Sequence, residues 1–133
     1  VPSKTVNIQM LLLANVRESD LHYLAQLDSI GYDGQTAEDL LKAVVDQGLA
    51  LWRISGDCEG VLLTSLTKKA LWVDGIAGKG LTLCAEAIRT KLQTIAKRAG
   101  RDHVQCAVSH PVLRKFYERM GAKPIASIME LNQ

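Results

Sequence analysis

The stretch Leu71-Trp72-Val73-Asp74-Gly75-Ile76-Ala77-Gly78-Lys79-Gly80-Leu81 decides how this chain folds. Ala70 to Val73 are bulky and apolar enough for a strand, and Gly75, Gly78 and Gly80 then break the pattern. From Leu81 onward Cys84, Ala85, Ile88, Leu92, Ile95, Ala96 and Ala99 recur at helical spacing. Glu86, Arg89, Gln93 and Lys97 take the opposite face, and Gly100 ends the run. The segment therefore reads as a strand, a glycine-rich turn and a long helix. Backbone N–H groups at the start of such a helix have no intrahelical acceptor, and the helix dipole adds partial positive charge there. Gly78 and Gly80 offer main chain without a Cβ, and Lys79 adds a cation, so the turn suits a pyrophosphate. It lacks the spacing and the Lys-Ser/Thr ending of a P-loop, and the later acidic residue of a dinucleotide fold. Glycine as plain strand-to-helix punctuation is the competing explanation.

Upstream of this segment, residues 49–55 and 61–67 are short and rich in β-branched and large apolar side chains. Gly56-Asp57-Cys58-Glu59-Gly60 joins them as the turn of an antiparallel hairpin, and Lys68-Lys69 reverses the chain into Ala70, completing a three-strand meander. Earlier still, Leu21, Leu24, Ala25 and Leu27 predict a helix over 19–30, stopped by Gly31. Thr36 and Asp39 form a capping box for a second helix carrying Leu40, Leu41, Val44 and Val45, closed by Gly48. Residues 6–16 fit either a buried strand or part of a helix. Downstream, 103–108 alternates as a strand. Pro111 opens a helix bearing Leu113, Phe116, Tyr117 and Met120, ended by Gly121, and 125–131 alternates as a final strand. The expected architecture is α+β, with helices layered on a mixed sheet in a single domain spanning 1–133.

Composition narrows the function classes. The 133 residues are 47% hydrophobic and 23% charged, values that exclude disorder and fibrous repetition. Sixteen Lys plus Arg against 14 Asp plus Glu leave a net charge of only +2, so no nucleic-acid or membrane partner is expected. Cys58, Cys84 and Cys106 are odd in number and widely spaced, which fits small buried side chains in a reducing, cytoplasmic setting better than a disulfide framework. The run Met10 to Ala14 is too short to span a bilayer, and Lys4 alone makes a poor signal-peptide leader. His22, His103 and His110 show no metal-ligand spacing, so no metal is expected.

Two segments resemble the GNAT-type N-acetyltransferases. The first is Leu71-Trp72-Val73-Asp74 followed by Gly78-Lys79-Gly80-Leu81 and the long helix. The second is His110-Pro111-Val112-Leu113-Arg114-Lys115-Phe116-Tyr117-Glu118-Arg119-Met120-Gly121-Ala122, and the chain closes on Ile128-Met129-Glu130-Leu131, a common family ending. The resemblance covers about residues 49–131. It implies a mostly antiparallel mixed sheet with one splayed parallel strand pair, helices on both faces, and acetyl-CoA as cosubstrate. The family's signature, Gln or Arg, two residues, Gly, one residue, then Gly or Ala, falls on Ala77 to Thr82 and is degenerate here. Gly80 keeps the central glycine, while Ala77 replaces the long polar residue and Thr82 the last small one. His110 stands where Asn is common, and Ala122 where Phe is common.

What the resemblance implies chemically is direct attack of an amine on the acetyl thioester, held between the strands at 70–74 and 103–108. A main-chain N–H near Val73 would polarise the thioester carbonyl, and Ala77, Gly78, Lys79, Gly80, Leu81 and Thr82 would hold the cosubstrate. Tyr117 matches the family's frequent general acid, and also fits a core aromatic beside Phe116. Asp74 and His110 are the candidate bases, with Glu130 acting through water; Asp74 also fits a turn former, and His110 a residue that merely flanks Pro111. The acceptor is expected to be a primary amine. A degenerate signature leaves open a different class of function, a non-catalytic GNAT-like binding or structural module. So few residues follow Gly121 that a last strand looks missing, and the bare edge makes a homodimer one expectation.

Overall fold

The computed structural model describes residues 4–27, 37–107, 118–119, 121, 123–125 and 128–132. Its described elements are β1 (Val6–Met10), α1 (Glu18–Gln26), α2 (Ala37–Gln47), β2 (Ala50–Gly56), β3 (Glu59–Leu66), β4 (Ala70–Lys79), α3 (Ala85–Arg98), β5 (His103–Ala107), β6 (Lys123–Ile125) and β7 (Ile128–Asn132), with 3-10 turns at Leu13–Asn15 and Leu81–Cys84. The strands form one sheet in the order β1-β2-β3-β4-β5-β7-β6. β4 and β5 pair in parallel, and every other neighbouring pair is antiparallel. A parallel pair needs a crossover, and α3 supplies it.

Strand alternation sends side chains to two apolar layers. On one face Ile54, Leu62, Leu71, Val73 and Ile76 pack against Ile88, Leu92 and Ala96 of α3. On the other, Leu51, Val61, Leu63 and Ala77 meet Leu24 of α1, Leu27 just beyond it, and Leu41 and Val44 of α2. The three-layer α+β class with helices on both faces is the observed one. Among the described residues no helix is long and apolar enough to cross a membrane. All three cysteines are free and buried.

Several local expectations need correction. The ambiguous N-terminal stretch is strand β1, paired with β2 from Val6 opposite Gly56 to Met10 opposite Trp52. α1 ends at Gln26, short of the expected 30, and starts where the Asp20 carboxylate accepts the Arg17 N–H at 2.8 Å. The long helix begins one turn late, after the 3-10 turn Leu81–Cys84. The largest correction concerns residues 74–79, which are strand rather than turn. Gly60 and Gly78 face each other across β3 and β4 so closely that a Cβ on Gly78 would lie 2.1 Å from the Glu59 carbonyl oxygen. Gly78 is thus required by strand approach, the role glycine takes in sheet interiors.

The single last strand is in fact the β6–β7 hairpin, with Ile125 opposite Ile128. β7 covers β5, so the missing strand from which a homodimer was expected is present. The new edge, β6, is three residues long and includes Pro124, which lacks an N–H to offer. The Thr36 capping residue and the helix expected after Pro111 lie outside the described residues, apart from Glu118 and Arg119, which are helical.

Candidate functional site

The site grows from one irregularity in β4. Leu63 pairs with Gly75 and Thr64 with Val73, so Asp74 is an extra residue with no counterpart on β3. Such a bulge bends its strand and sharpens the local twist. On the opposite side of β4, the parallel ladder runs from Ala70 opposite His103 to Val73 opposite Cys106 and stops there. β4 continues for six more residues with no described strand against that edge. Among the described residues the parallel ladder therefore ends at the bulge.

The bulge also changes which side of the sheet each residue faces. Leu71 and Val73 belong to the α3 layer before it, and Ile76 belongs to the same layer after it. Trp72, opposite Ser65, faces the α1–α2 side. Ser65 hydrogen-bonds the Asp74 carboxyl, which turns Asp74 to that side as well. Burial pushes this carboxyl above the ordinary aspartate value, and the Ser65 bond offsets part of the rise. Asp74 thus sits where the described parallel ladder ends, across the sheet from α3.

At the far end of β4, Gly80 adopts φ +76°, the left-handed region that glycine tolerates best. Its carbonyl accepts the Leu83 N–H at 3.2 Å, starting the 3-10 turn. The N–H groups of Leu81 and Thr82 precede the first such bond and have no acceptor within the turn. Thr82 and Lys79 are exposed, and Leu81 packs against the α3 layer. A separate hollow of about 400 Å³ lies beside Lys79 and Gly80, but Asp57 and Glu59 rim it. Glu59 accepts the Tyr23 hydroxyl at 2.7 Å, and Asp57 accepts the Thr5 N–H at the same distance.

The structure gathers Lys79, Gly80, Leu81 and Thr82 at the turn and leaves the other signature positions out of it. Ala77 is buried at 6% exposure among Leu51, Val61 and Leu63, and Gly78 is held between strands. Val73 and Asp74 lie at the bulge, about 20 Å up the strand from Gly80 by the ordinary rise per residue. His110 and Tyr117 lie outside the described residues. Glu130 is on β7 opposite Gln105. Sequence reasoning missed Ser65, because its link to Asp74 depends on cross-strand register, which no local pattern reveals.

Cys58 and Cys84 lie under the turn. Burial, with a hydrogen bond that the Cys58 thiol donates to Cys84, pushes the Cys58 thiol up to about 12, so it stays protonated at neutral pH.

No protein-family model matches this sequence, and no curated protein matches it. Solved structures match along nearly its whole length. A Bacillus subtilis acetyltransferase in complex with CoA is 14% identical, with 97% of this chain and 99% of that one covered and a TM-score of 0.65. PaiA N-acetyltransferase from Thermoplasma acidophilum, in complex with coenzyme A, is 14% identical over 97% and 99% of the two chains, with a TM-score of 0.64. The aminoglycoside acetyltransferase AAC(6')-Ib, in complex with coenzyme A, is 10% identical over 96% and 95%, with a TM-score of 0.66. Together with the parallel β4–β5 pair and the glycine turn, these likenesses give the chain the fold of the GNAT acetyltransferases.

Proposed function

We propose that this protein is an acetyl-CoA-dependent acyltransferase that acetylates a primary amine by direct attack on the thioester. The observation that carries this is the end of the described β4–β5 ladder at the Asp74 bulge, with the Leu81 and Thr82 amides, which have no acceptor within their 3-10 turn, just beyond the far end of β4. The two features are separated by about 20 Å of extended chain. That span suits a cosubstrate with its diphosphate at the turn and its acyl end at the bulge. The solved structures with this fold include acetyltransferases in complex with CoA.

In this mechanism the Leu81 and Thr82 N–H groups and Lys79 hold the diphosphate. A main-chain N–H beside Val73 hydrogen-bonds the thioester carbonyl and stabilises the charge that grows on its oxygen. Asp74, on the other face, receives a proton from the incoming ammonium, directly or through one water. Its raised proton affinity brings it closer to that task. The amine nitrogen forms the new bond to the acyl carbon as the carbon–sulfur bond breaks. Tyr117 returns a proton to the departing thiolate, and His110 is the alternative base.

A thermal melt with acetyl-CoA tests the cosubstrate. At about a hundred times its dissociation constant a ligand adds ~2.7 kcal/mol of stability, which raises the midpoint by several degrees. The shift is expected for the native chain and is expected to shrink in Gly80→Ala. No shift at millimolar acetyl-CoA would instead support the non-catalytic module.

A further inference from the structure

α3 leaves one corner of its sheet face uncovered. Between that corner and the ends of α2 and α3 lies a cavity of about 500 Å³, within the range of small-molecule sites. Its walls are apolar: Ile8, Trp52, Leu71 and Ile95 form the floor, and Met10 and Leu66, each more than half exposed, form the rim. The polar groups around it are mostly committed. The Trp52 indole N–H donates to the Thr64 hydroxyl at 2.8 Å. Several carbonyls at the end of α3 are also taken. The Ala99 N–H bonds Ile95 and Ala96, and the Arg101 guanidinium donates to Ala99 and to Thr67 of the preceding turn, each at 2.7 Å.

Arg98 differs. Among the described residues it is the one charged side chain lining the cavity; it is exposed, and it has neither an ion pair nor a hydrogen bond there. As the charged side chain at this cavity, Arg98 supplies a cation to which an anion can pair. The planar guanidinium fork fits a carboxylate through two parallel hydrogen bonds. Ser65, which bonds Asp74, borders this space, but neither Asp74 itself nor any residue from Gly80 to Thr82 lines it.

We propose that this cavity is a second binding site, separate from the acyl-transfer opening, for a small amphiphile with an apolar body and a terminal carboxylate, its body on Trp52 and its carboxylate on Arg98. The proposal does not depend on the transferase assignment.

Octanoate titrated into the protein, followed by the indole N–H resonances in ¹H–¹⁵N spectra, tests it. Trp72→Phe assigns the two indole signals. A saturable shift of the Trp52 signal is expected, with a dissociation constant in the millimolar range or below for so small a ligand. Octan-1-ol and octylammonium share the body without the carboxylate and are expected to bind at least about tenfold more weakly; Arg98→Gln is expected to weaken octanoate about tenfold. Acetyl-CoA should raise the melting midpoint equally with and without octanoate. The proposal is overturned by no saturable shift at about 10 mM, by a shift confined to Trp72, by equal binding of the alcohol, or by full affinity in Arg98→Gln. Competition between octanoate and acetyl-CoA would also overturn it. If acetyl-CoA does not bind at all, the octanoate series still reads independently, so failure of one assignment is distinguishable from failure of the other.

Discussion

Asp74 carries the sharpest conflict between stability and function. Burial raises its carboxyl above 3.8, with Ser65 opposing the rise. A raised value means that the folded state favours the protonated form. Its contribution to stability is therefore complete below the unfolded value and is lost as pH climbs through the folded one. At neutral pH the charged carboxylate is a cost to the fold. Asp74→Asn should accordingly leave the urea midpoint at pH 7 unchanged or higher, and the difference from the native chain should vanish near pH 3. The same variant should lower acetyl transfer by roughly 10²- to 10⁴-fold if Asp74 accepts the ammonium proton. A lower midpoint at pH 7 together with unaltered turnover would refute both roles.

At the scale of an element, the end of β4 shows two glycines two residues apart serving different ends, Gly78 within the strand and Gly80 just beyond it. A Cβ on Gly78 would meet backbone, 2.1 Å from the Glu59 carbonyl oxygen and 2.7 Å from the Gly60 Cα. Backbone cannot swing away as a long side chain would, so Gly78→Ala should cost about 3 kcal/mol by chemical denaturation. Around Gly80 the space is ordinary, with the nearest atom the Cys58 Cβ at 3.6 Å, but its φ of +76° is left-handed. Gly80→Ala should cost only about 1–2 kcal/mol, the strain of that conformation. It should also tilt the Leu81 and Thr82 amides and diminish acetyl-CoA protection. Equal stability losses in the two variants would show that the turn and strand roles have been confused. Glycine spacing in the sequence marks both positions, and tells neither role, because one depends on a partner strand 18 residues away.

For the whole molecule, the Asp20–Arg53 pair joins α1 to the sheet. Arg53 bonds both carboxylate oxygens, at 3.0 and 2.6 Å, and also the Asn15 carbonyl at 2.8 Å. Burial alone would raise the Asp20 carboxyl, but the Arg53 and Arg17 hydrogen bonds and their positive charges outweigh it and hold it below 3.8. Its contribution is present above pH 3.8 and is lost as pH falls through the lower folded value. Asp20→Ala leaves Arg53 mostly buried without its anion and should cost about 3 kcal/mol at pH 7. The gap between variant and native chain should close as acid unfolding is carried progressively below pH 4. A constant gap across that range would mean that lost packing, not charge, accounts for the defect.

Local chemistry in the chain determined its helices and most of its strands: periodicity in 81–99, the turn at Gly56 to Gly60 and the reversal at Lys68-Lys69 each act over a few residues. The order of those elements, with two short motifs, was enough to imply the layered fold. Only the tertiary structure decided where β4 ends, that Asp74 is a bulge, that Ser65 reaches it, and that a second strand follows Gly121. Each of these depends on register between segments far apart in the chain, and register is set by how whole strands pack together rather than by any residue's own preference.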